Sequence, residues 1–226
     1  MTVELMIGWD ERERITWQVC ARSLLKHARV PPPIRPISTV HLGALYRRPT
    51  EIRNGRLFDV QSNAFCSTMF SFARFWAPRL CSAQWAIFVD GDFLFRADIG
   101  ELIALLDPRY SVMCVQHDFR PAAHTKMDGQ VQTTYDRKCW TSLIAFNCQR
   151  AAVKRLDEHA LNERTGLHLH RLEWCKDHEI GALPAEWHHI PGHSSEPDPK
   201  AVHLTHGTPE LGYDSPWSRE WWSHAP

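Results

Sequence analysis

The sequence predicts a single α/β domain in which helices cover both faces of a sheet. The apolar run Trp85–Val89 has the length of a strand and the near-continuous hydrophobicity typical of strands buried on both faces. Along the chain, short apolar or β-branched stretches alternate with stretches whose apolar residues recur at spacings of three and four. The 226 residues suit one domain with a well-buried core, and after about residue 184 the periodicity is lost.

The first part of the chain alternates strands with helices. Val3–Trp9 begins with a β-branched residue and ends at a Gly-Trp-Asp turn, so we expect the first strand there. Residues 11–28 carry a helical apolar stripe, with acids near the start and Lys and His near the end, as the helix dipole favours. Ile34–Leu42 is expected to be the second strand, although Pro36 is unfavourable inside a sheet. Residues 67–77 are expected to be helical, and the proline that follows marks an end or a kink.

Beyond the buried strand the pattern continues. Residues 98–106 have the spacing of a short helix, and Ser111–Val115 is apolar enough for a buried strand. A further strand is expected at Ser142–Phe146 and a further helix at 149–160. Between them the polar stretch 117–139 contains proline and glycine and is long enough for a binding loop or a lid.

Composition excludes several classes of function. Lys plus Arg equals Asp plus Glu at 26 each, which excludes the positive excess of a nucleic-acid binder. No apolar run approaches 18 residues, so we expect no transmembrane segment. The N-terminus lacks a basic region before its apolar stretch, and we expect a strand rather than a signal peptide. Seven cysteines without a Cys-x-x-Cys favour free thiols in a cytoplasmic protein over a disulfide framework or a zinc site.

The strongest chemical feature is a pair of carboxylates, Asp90 and Asp92, directly after the buried strand. In an extended chain, residues i and i+2 point the same way with Cα atoms about 7 Å apart, so both can reach one ion. Gly91 between them allows a ligand to approach the backbone closely. Ligands of open α/β sheets bind beyond the carboxyl ends of strands, where this pair falls. The alternative is an Asp-Gly hairpin turn without a function.

Segments in consistent order along the chain resemble glycosyltransferase family 8 and related enzymes of the GT-A fold. The first joins the helix around Arg74, the strand ending in Asp90-Gly91-Asp92 and the short segment Asp98–Leu102. The others are Thr141–Asn147, residues 174–187 and Lys200–Gly207. The resemblance extends over about residues 3–212. It implies one Rossmann-like GT-A domain whose mixed central sheet is flanked by helices.

The resemblance implies a metal-dependent glycosyltransferase of the hexosyltransferase type. It would move a sugar, with retention of configuration, from a nucleotide-diphosphate sugar, expected to be a UDP-sugar, to a glycan or glycolipid. Residues 1–116 would form the nucleotide-binding half of the single domain 1–226, residues 117–212 the acceptor and sugar half, and residues 213–226 an aromatic tail. We expect a bacterial, cytoplasmic enzyme, with peripheral contact at the inner face of the membrane as an option. The alternatives are a metal-dependent nucleotidyltransferase or nucleotide-sugar hydrolase, and a non-catalytic nucleotide- or sugar-binding domain.

The resemblance also assigns roles to single residues. Asp90, Asp92 and His203 would bind the metal, and an imidazole among carboxylates suits Mn²⁺ better than Mg²⁺, which is the alternative. Asn147 and Asp177 would act at the transferred sugar, Asp177 as charge stabiliser or nucleophile, or else as a helix cap. The residues expected to bind the donor are Ile7, Gly8, Trp9, Asp10, Arg74, Asp90, Gly91, His206 and Gly207. For Trp9 a place in the core and for Arg74 a place on the helix surface remain alternatives.

One departure from the family pattern lies near the C-terminus. The family's usual lysine is absent, because His203 is followed by Gly207 and then by Thr-Pro-Glu. His206 or the backbone near Gly207 is therefore expected to contact the donor phosphates in place of this missing lysine.

Overall fold

The computed structural model describes residues 1–118 and 135–226, so residues 119–134 of the expected loop 117–139 lie outside the described residues. The strands are β1 Val3–Gly8, β2 Ile34–Ile37, β3 Thr50–Arg53, β4 Arg56–Asp59, β5 Ala64–Phe65, β6 Trp85–Val89, β7 Phe93–Phe95, β8 Val112–Cys114, β9 Leu143–Asn147, β10 Ile180–Ala182 and β11 Ala201–His203. The α-helices are α1 Arg14–His27, α2 Thr39–Leu42, α3 Ala77–Leu80, α4 Ile99–Ala104, α5 Ala151–Lys154, α6 Glu158–Glu163, α7 Gly166–His170 and α8 Ser218–Trp222. Short 3₁₀ turns include Glu11–Glu13, Ala73–Trp76 and Ala185–Trp187.

A mixed six-stranded sheet in the order β10-β8-β9-β6-β1-β2 organises the fold. β9 runs antiparallel to both of its neighbours, whereas the other pairs in this sheet are parallel. The strand expected at Trp85–Val89 is confirmed residue for residue as β6. Alternate side chains of β6 enter the two cores on opposite faces of the sheet, Phe88 one of them and Ile87 the other. The expected α/β class and mixed sheet are confirmed.

The strand expected at Ile34–Leu42 was too long. β2 ends at Ile37, and the chain then turns into the helix Thr39–Leu42. Among the described strands, β2 lies at the edge of the sheet and pairs with β1 alone, whose last residue, Gly8, is opposite Ile37. The ladder with β1 therefore ends at Ile37. The edge position also explains why the sheet tolerates Pro36.

Two expected helices differ from the structure. The segment 67–77 is mostly turn, and its helical part is the 3₁₀ turn Ala73–Trp76 continued by α3. Pro78 lies in the first turn of α3 rather than at a helix end, because a residue there needs no N–H partner. The helix expected at 149–160 is two short helices, with a break where Asp157 caps α6 by accepting the N–H of Ala160.

Three features were not expected from the sequence. Strands β3, β4 and β5 form a separate antiparallel sheet. The turn between β3 and β4 has positive φ angles of 52° at Asn54 and 72° at Gly55, which is the Asn-Gly hairpin signal. A two-stranded ladder joins β7 to β11.

In the described parts of the chain, no helix has both the length and the apolar character that crossing a bilayer requires.

Candidate metal centre and active site

The two aspartates lie where β6 leaves the sheet. The backbone N–H of Asp90 donates to the carbonyl of Ser142 at 2.8 Å, and the carbonyl of Asp92 accepts from Leu204 at 3.0 Å. These bonds fix both ends of the Asp-Gly-Asp segment. Gly91 is required here, because a Cβ at this position would lie 2.5 Å from the carbonyl oxygen of Gly8 at the end of the adjacent β1.

The β7–β11 ladder brings His203 to these acids. In its antiparallel register His203 is opposite Phe93, the residue that follows Asp92. The His203 ring stacks on Phe93 with 4.6 Å between centroids, and its Nε2 lies 3.2 Å from Asp92 Oδ1 and 3.7 Å from Asp90 Oδ2. Ligand atoms of the three residues lie within 4.8 Å of one another, and no other group of three acidic, His or Cys residues in the described chain does so.

Arg74 supplies a fixed positive charge to this cluster. Its Nη2 lies 2.9 Å from Asp90 Oδ1, and its Nη1 donates to the carbonyl of Thr141 at 2.9 Å. Burial, reinforced by Asp92 and opposed by Arg74, raises the pKa of Asp90 above its ordinary value. Burial would also raise the pKa of Asp92, but His203, a backbone hydrogen bond and Arg74 together lower that pKa below its ordinary value. The two acids therefore differ although only one residue separates them.

The cluster fits a divalent cation. Asp90 Oδ1 and Asp92 Oδ1 are buried and lack an aligned hydrogen-bond donor among the described residues, because Arg74 and His203 approach them at 2.9 and 3.2 Å with poor hydrogen-bond geometry. Buried carboxylate oxygens without donors are costly unless a cation approaches them. Two carboxylates and one imidazole could therefore hold a metal ion here.

A second buried histidine, His188, forms a hydrogen bond with His203. Its Nε2 lies 2.8 Å from His203 Nδ1, and its ring contacts Phe93 and His117 at centroid distances of 5.0 and 4.4 Å. Burial, together with His203 and His117, lowers the pKa of His188 well below its ordinary value, which favours the neutral ring. Sequence reasoning gave this residue no role at the site. The signals in the sequence were the adjacent pair His188-His189 and the fact that nine of the 14 histidines fall between residues 159 and 206.

The cluster opens into a cavity of about 910 Å³. The β3–β5 sheet and the segment after it supply one wall, which includes the rings of Phe65, Phe70 and Phe72. His206 and Gly207 form another part of the cavity wall. Gly207 has a φ of +138°, and a Cβ there would overlap the ring of Tyr213, so only glycine fits this wall.

Glu13 also lines the cavity. Burial raises its pKa to about 7, and the charges of Asp92 and Asp10 add to this. In the described chain, the acidic residues of the cavity wall are therefore Asp90, Asp92 and Glu13.

The expected base- and ribose-binding segment does not line this cavity. Ile7 is fully buried in the core, and a Cβ on Gly8 would overlap the Phe70 ring. Trp9 packs edge-on against His41 with 5.4 Å between centroids. Both carboxylate oxygens of Asp10 are taken by hydrogen bonds from Arg12 and from the N–H of Met69. In the structure Asp10 instead holds the segment around Met69, whose neighbours Thr68 and Phe70 line the cavity.

The two residues expected to act on the sugar also lie elsewhere. Because β9 is antiparallel to β6, Asn147 pairs with Trp85, at the end of β6 opposite to Asp90. Its amide donates to the carbonyls of Pro108 and Tyr110 at 3.3 Å. The side chain of Asp177 is 88% exposed and pairs with Arg137 at 2.6 Å. Neither residue lines the cavity.

Comparison with known proteins places the chain in a family. No family model matches it. It is 42% identical to Protein CDI of Arabidopsis thaliana over 212 residues, which cover 91% of the chain and 78% of the relative. The chain belongs to the Protein CDI family. Since this relative is a plant protein, the expected bacterial origin receives no support from it and stays a prediction.

Solved structures show the fold of this CDI-family chain. The bifunctional glycosyltransferase WbbM aligns with a TM-score of 0.60 at 17% identity, covering 99% of the chain and 52% of the WbbM chain. The galactosyltransferase LgtC, solved with donor and acceptor sugar analogues, aligns with a TM-score of 0.56 at 11% identity, covering 98% and 94%. The chain thus spans about half of the WbbM chain. The GT-A-like fold is confirmed, and membership of family 8 stays a prediction.

Proposed function

We propose that this CDI-family protein is a metal-dependent glycosyltransferase. It moves a sugar from a nucleotide-diphosphate sugar, expected to be a UDP-sugar, to a hydroxyl group of a glycan or glycolipid. The observation that carries the proposal is the convergence of Asp90, Asp92 and His203 at the carboxyl end of β6, beside a cavity of about 910 Å³. The glycosyltransferase names of the fold neighbours support it.

The chain's own residues divide the work at this site. Asp90, Asp92 and His203 would hold the cation, for which we propose Mn²⁺ with Mg²⁺ as the alternative. When bound, such a cation neutralises the charge that develops on a departing diphosphate. Arg74 keeps Asp90 in place through its second bond to the carbonyl of Thr141. A sugar bound in the cavity would be partly screened from bulk water by its walls, which disfavours hydrolysis of the donor.

Several finer points rest on the family-8 resemblance alone. Retention of configuration is one of them, because Asn147 and Asp177 lie away from the cavity. A cytoplasmic location is another. For the aromatic tail we propose packing on the domain, since Trp221 is fully buried with Val19 and Leu94, although the side chain of Trp222 is half exposed.

A thermal-shift titration tests the metal dependence. We expect UDP to raise the Tm only when Mn²⁺ is present, because the diphosphate and the acids of the cluster repel each other without a cation. Asp92→Ala should abolish the Mn²⁺-dependent shift. Asp177→Ala is the matched control and should keep it, since Asp177 is exposed outside the cavity. A UDP shift of equal size without metal, or in Asp92→Ala, would contradict the proposal.

Product analysis separates the proposal from its alternatives. With a UDP-sugar and a panel of acceptors, a glycosyltransferase releases UDP and forms a glycosylated acceptor. Sugar 1-phosphate together with free UMP would indicate a pyrophosphate hydrolase, and sugar 1-phosphate together with an acceptor that carries the UMP group would indicate a nucleotidyltransferase. UDP and free sugar without a glycosylated acceptor would indicate hydrolysis of the donor. Metal-dependent binding without turnover on any donor and acceptor would indicate a binding domain.

A further inference from the structure

His188 and His203 form a hydrogen-bonded pair in the interior. Their exposed fractions are 0% and 2%, and 2.8 Å separates His188 Nε2 from His203 Nδ1. His188 is not part of the group of three candidate ligands, which consists of Asp90, Asp92 and His203. Within the described residues the ring of His188 forms its hydrogen bond with His203 through Nε2, and its Nδ1 has no hydrogen-bond partner there.

The backbone holds this pair in register. The N–H of His189 donates to the carbonyl of Ala201 at 3.0 Å, and the N–H of His203 donates to the carbonyl of His189 at 2.8 Å. The segment that carries His188 is therefore attached to β11 beside the metal cluster. Phe93 packs against both rings, so neither ring can rotate without displacing it.

The direction of the hydrogen bond decides what His203 can do. A neutral imidazole carries one ring proton, on either Nδ1 or Nε2. To bind a cation through the Nε2 that faces Asp92, His203 must carry its proton on Nδ1. That proton then needs an acceptor, and the described atom within reach is Nε2 of His188.

We infer that His188 is a positioning residue of the metal centre: it accepts the Nδ1–H of His203 and so presents the Nε2 lone pair of His203 to the cation. This inference rests on the metal-dependent function proposed above. It assigns no ligand role to His188, which acts only through His203. Partners of this kind usually change metal affinity by about 10- to 100-fold when they are removed.

Three variants test the inference with Mn²⁺ alone, by titrating the electron paramagnetic resonance signal of free Mn²⁺ against the full chain. His188→Phe fills the space but removes the acceptor, and we expect the Kd for Mn²⁺ to rise by about 10- to 100-fold. His188→Gln can place an amide oxygen near the former Nε2, and it should restore most of the affinity. His189→Phe is the matched control and should bind as the wild type does, because the ring of His189 packs on Trp217 away from the cluster.

A second readout needs no variant. In wild-type protein loaded with Cd²⁺, a diamagnetic substitute, ¹H–¹⁵N NMR should show the His203 proton on Nδ1 and no proton on Nε2. A His203 protonated on Nε2 in the loaded protein would overturn the inference, as would wild-type affinity in folded His188→Phe. If the wild type binds neither ion, the metal-dependent function fails as well. If it binds and only the His188 effect is missing, this inference alone fails.

Discussion

Three aspartates follow the neighbouring parallel strands β1 and β6, and they differ in how far local hydrogen bonds satisfy their carboxylates. Asp10, after β1, accepts bonds on both oxygens from Arg12 and Met69, and these bonds lower its pKa against the effect of burial. Asp90 and Asp92, after β6, keep buried oxygens without aligned donors. The sequence shows an acid after a strand in both places, and it cannot show which acid the surrounding N–H groups satisfy.

Glu13 leads to a prediction about pH and stability. Its pKa of about 7 in the folded protein lies above the ordinary 4.5, so the native state favours the protonated form. Between about pH 4.5 and 7 the folded chain binds more protons than the unfolded chain, and stability falls as the pH rises. Glu13→Gln removes this loss. We expect its free energy of unfolding to exceed that of the wild type by roughly 1–3 kcal/mol at pH 8 and by much less at pH 4.

Urea unfolding with a chelator present measures this difference. Glu11→Gln is the matched control, because Glu11 is exposed on the same 3₁₀ turn and should change stability little at either pH. If Glu13→Gln changed the free energy of unfolding by the same amount at pH 4 and pH 8, the pKa of Glu13 would not be raised in the folded protein, and the prediction would be wrong.

At the scale of elements, the sequence predicts what local pattern determines. β6 was predicted to the residue because a strand covered on both faces must be apolar throughout. The short helix expected at 98–106 is present as α4 over Ile99–Ala104, after the capping residue Asp98. The prediction of one helix at 149–160 was wrong, because the side chain of Asp157 accepts the N–H of Ala160 and thereby starts a new helix. The β3–β4 hairpin was missed although Asn54-Gly55 is its signal, since exposed strands lack an apolar pattern.

A buried ion pair ties this hairpin to the domain and gives a second stability prediction. The side chains of Arg48 and Asp59 are both fully buried and meet at 2.7 Å, and Arg48 also donates to the carbonyls of Leu161 and Arg164. Asp59→Ala leaves a buried guanidinium without its counter-charge. We expect a loss of about 3–5 kcal/mol in the free energy of unfolding, measured in urea.

The same hairpin carries a matched control for that measurement. Arg53 and Glu51 also pair at 2.7 Å, but both side chains are about half exposed. Glu51→Ala should cost under about 1 kcal/mol, because solvent screens exposed pairs. Equal losses in the two variants would mean that burial does not set the strength of the Arg48–Asp59 pair.

At the scale of the whole molecule, strand direction decides which residues meet. The sequence identified the trio Asp90, Asp92 and His203 through motif order, and the structure brings these three together. It could not show that β9 is antiparallel, because a strand of five apolar residues looks the same in either direction. The antiparallel course brings Thr141 and Ser142 to the cavity and takes Asn147 to the far end of the sheet.

Asn147→Ala tests this placement. The substitution leaves the carbonyls of Pro108 and Tyr110 without their amide donor, and we expect it to lower the free energy of unfolding by about 1–3 kcal/mol. The Mn²⁺-dependent rise in Tm caused by UDP should persist, because the cluster is untouched. If a folded Asn147→Ala protein lost that rise in Tm, Asn147 would contribute to donor binding, and its placement away from the site would be contradicted.

The three-residue ladder between β7 and β11 has a consequence for biosynthesis. It supplies the imidazole of the cluster from a strand 111 positions after Asp92. A nascent chain that has emerged from the ribosome only as far as β10 thus carries both acids but lacks their third partner. Strand alternation makes the ladder intolerant of error, since a slip of one residue turns His203 to the other face. Metal loading would therefore report that the last strand has docked in its native register.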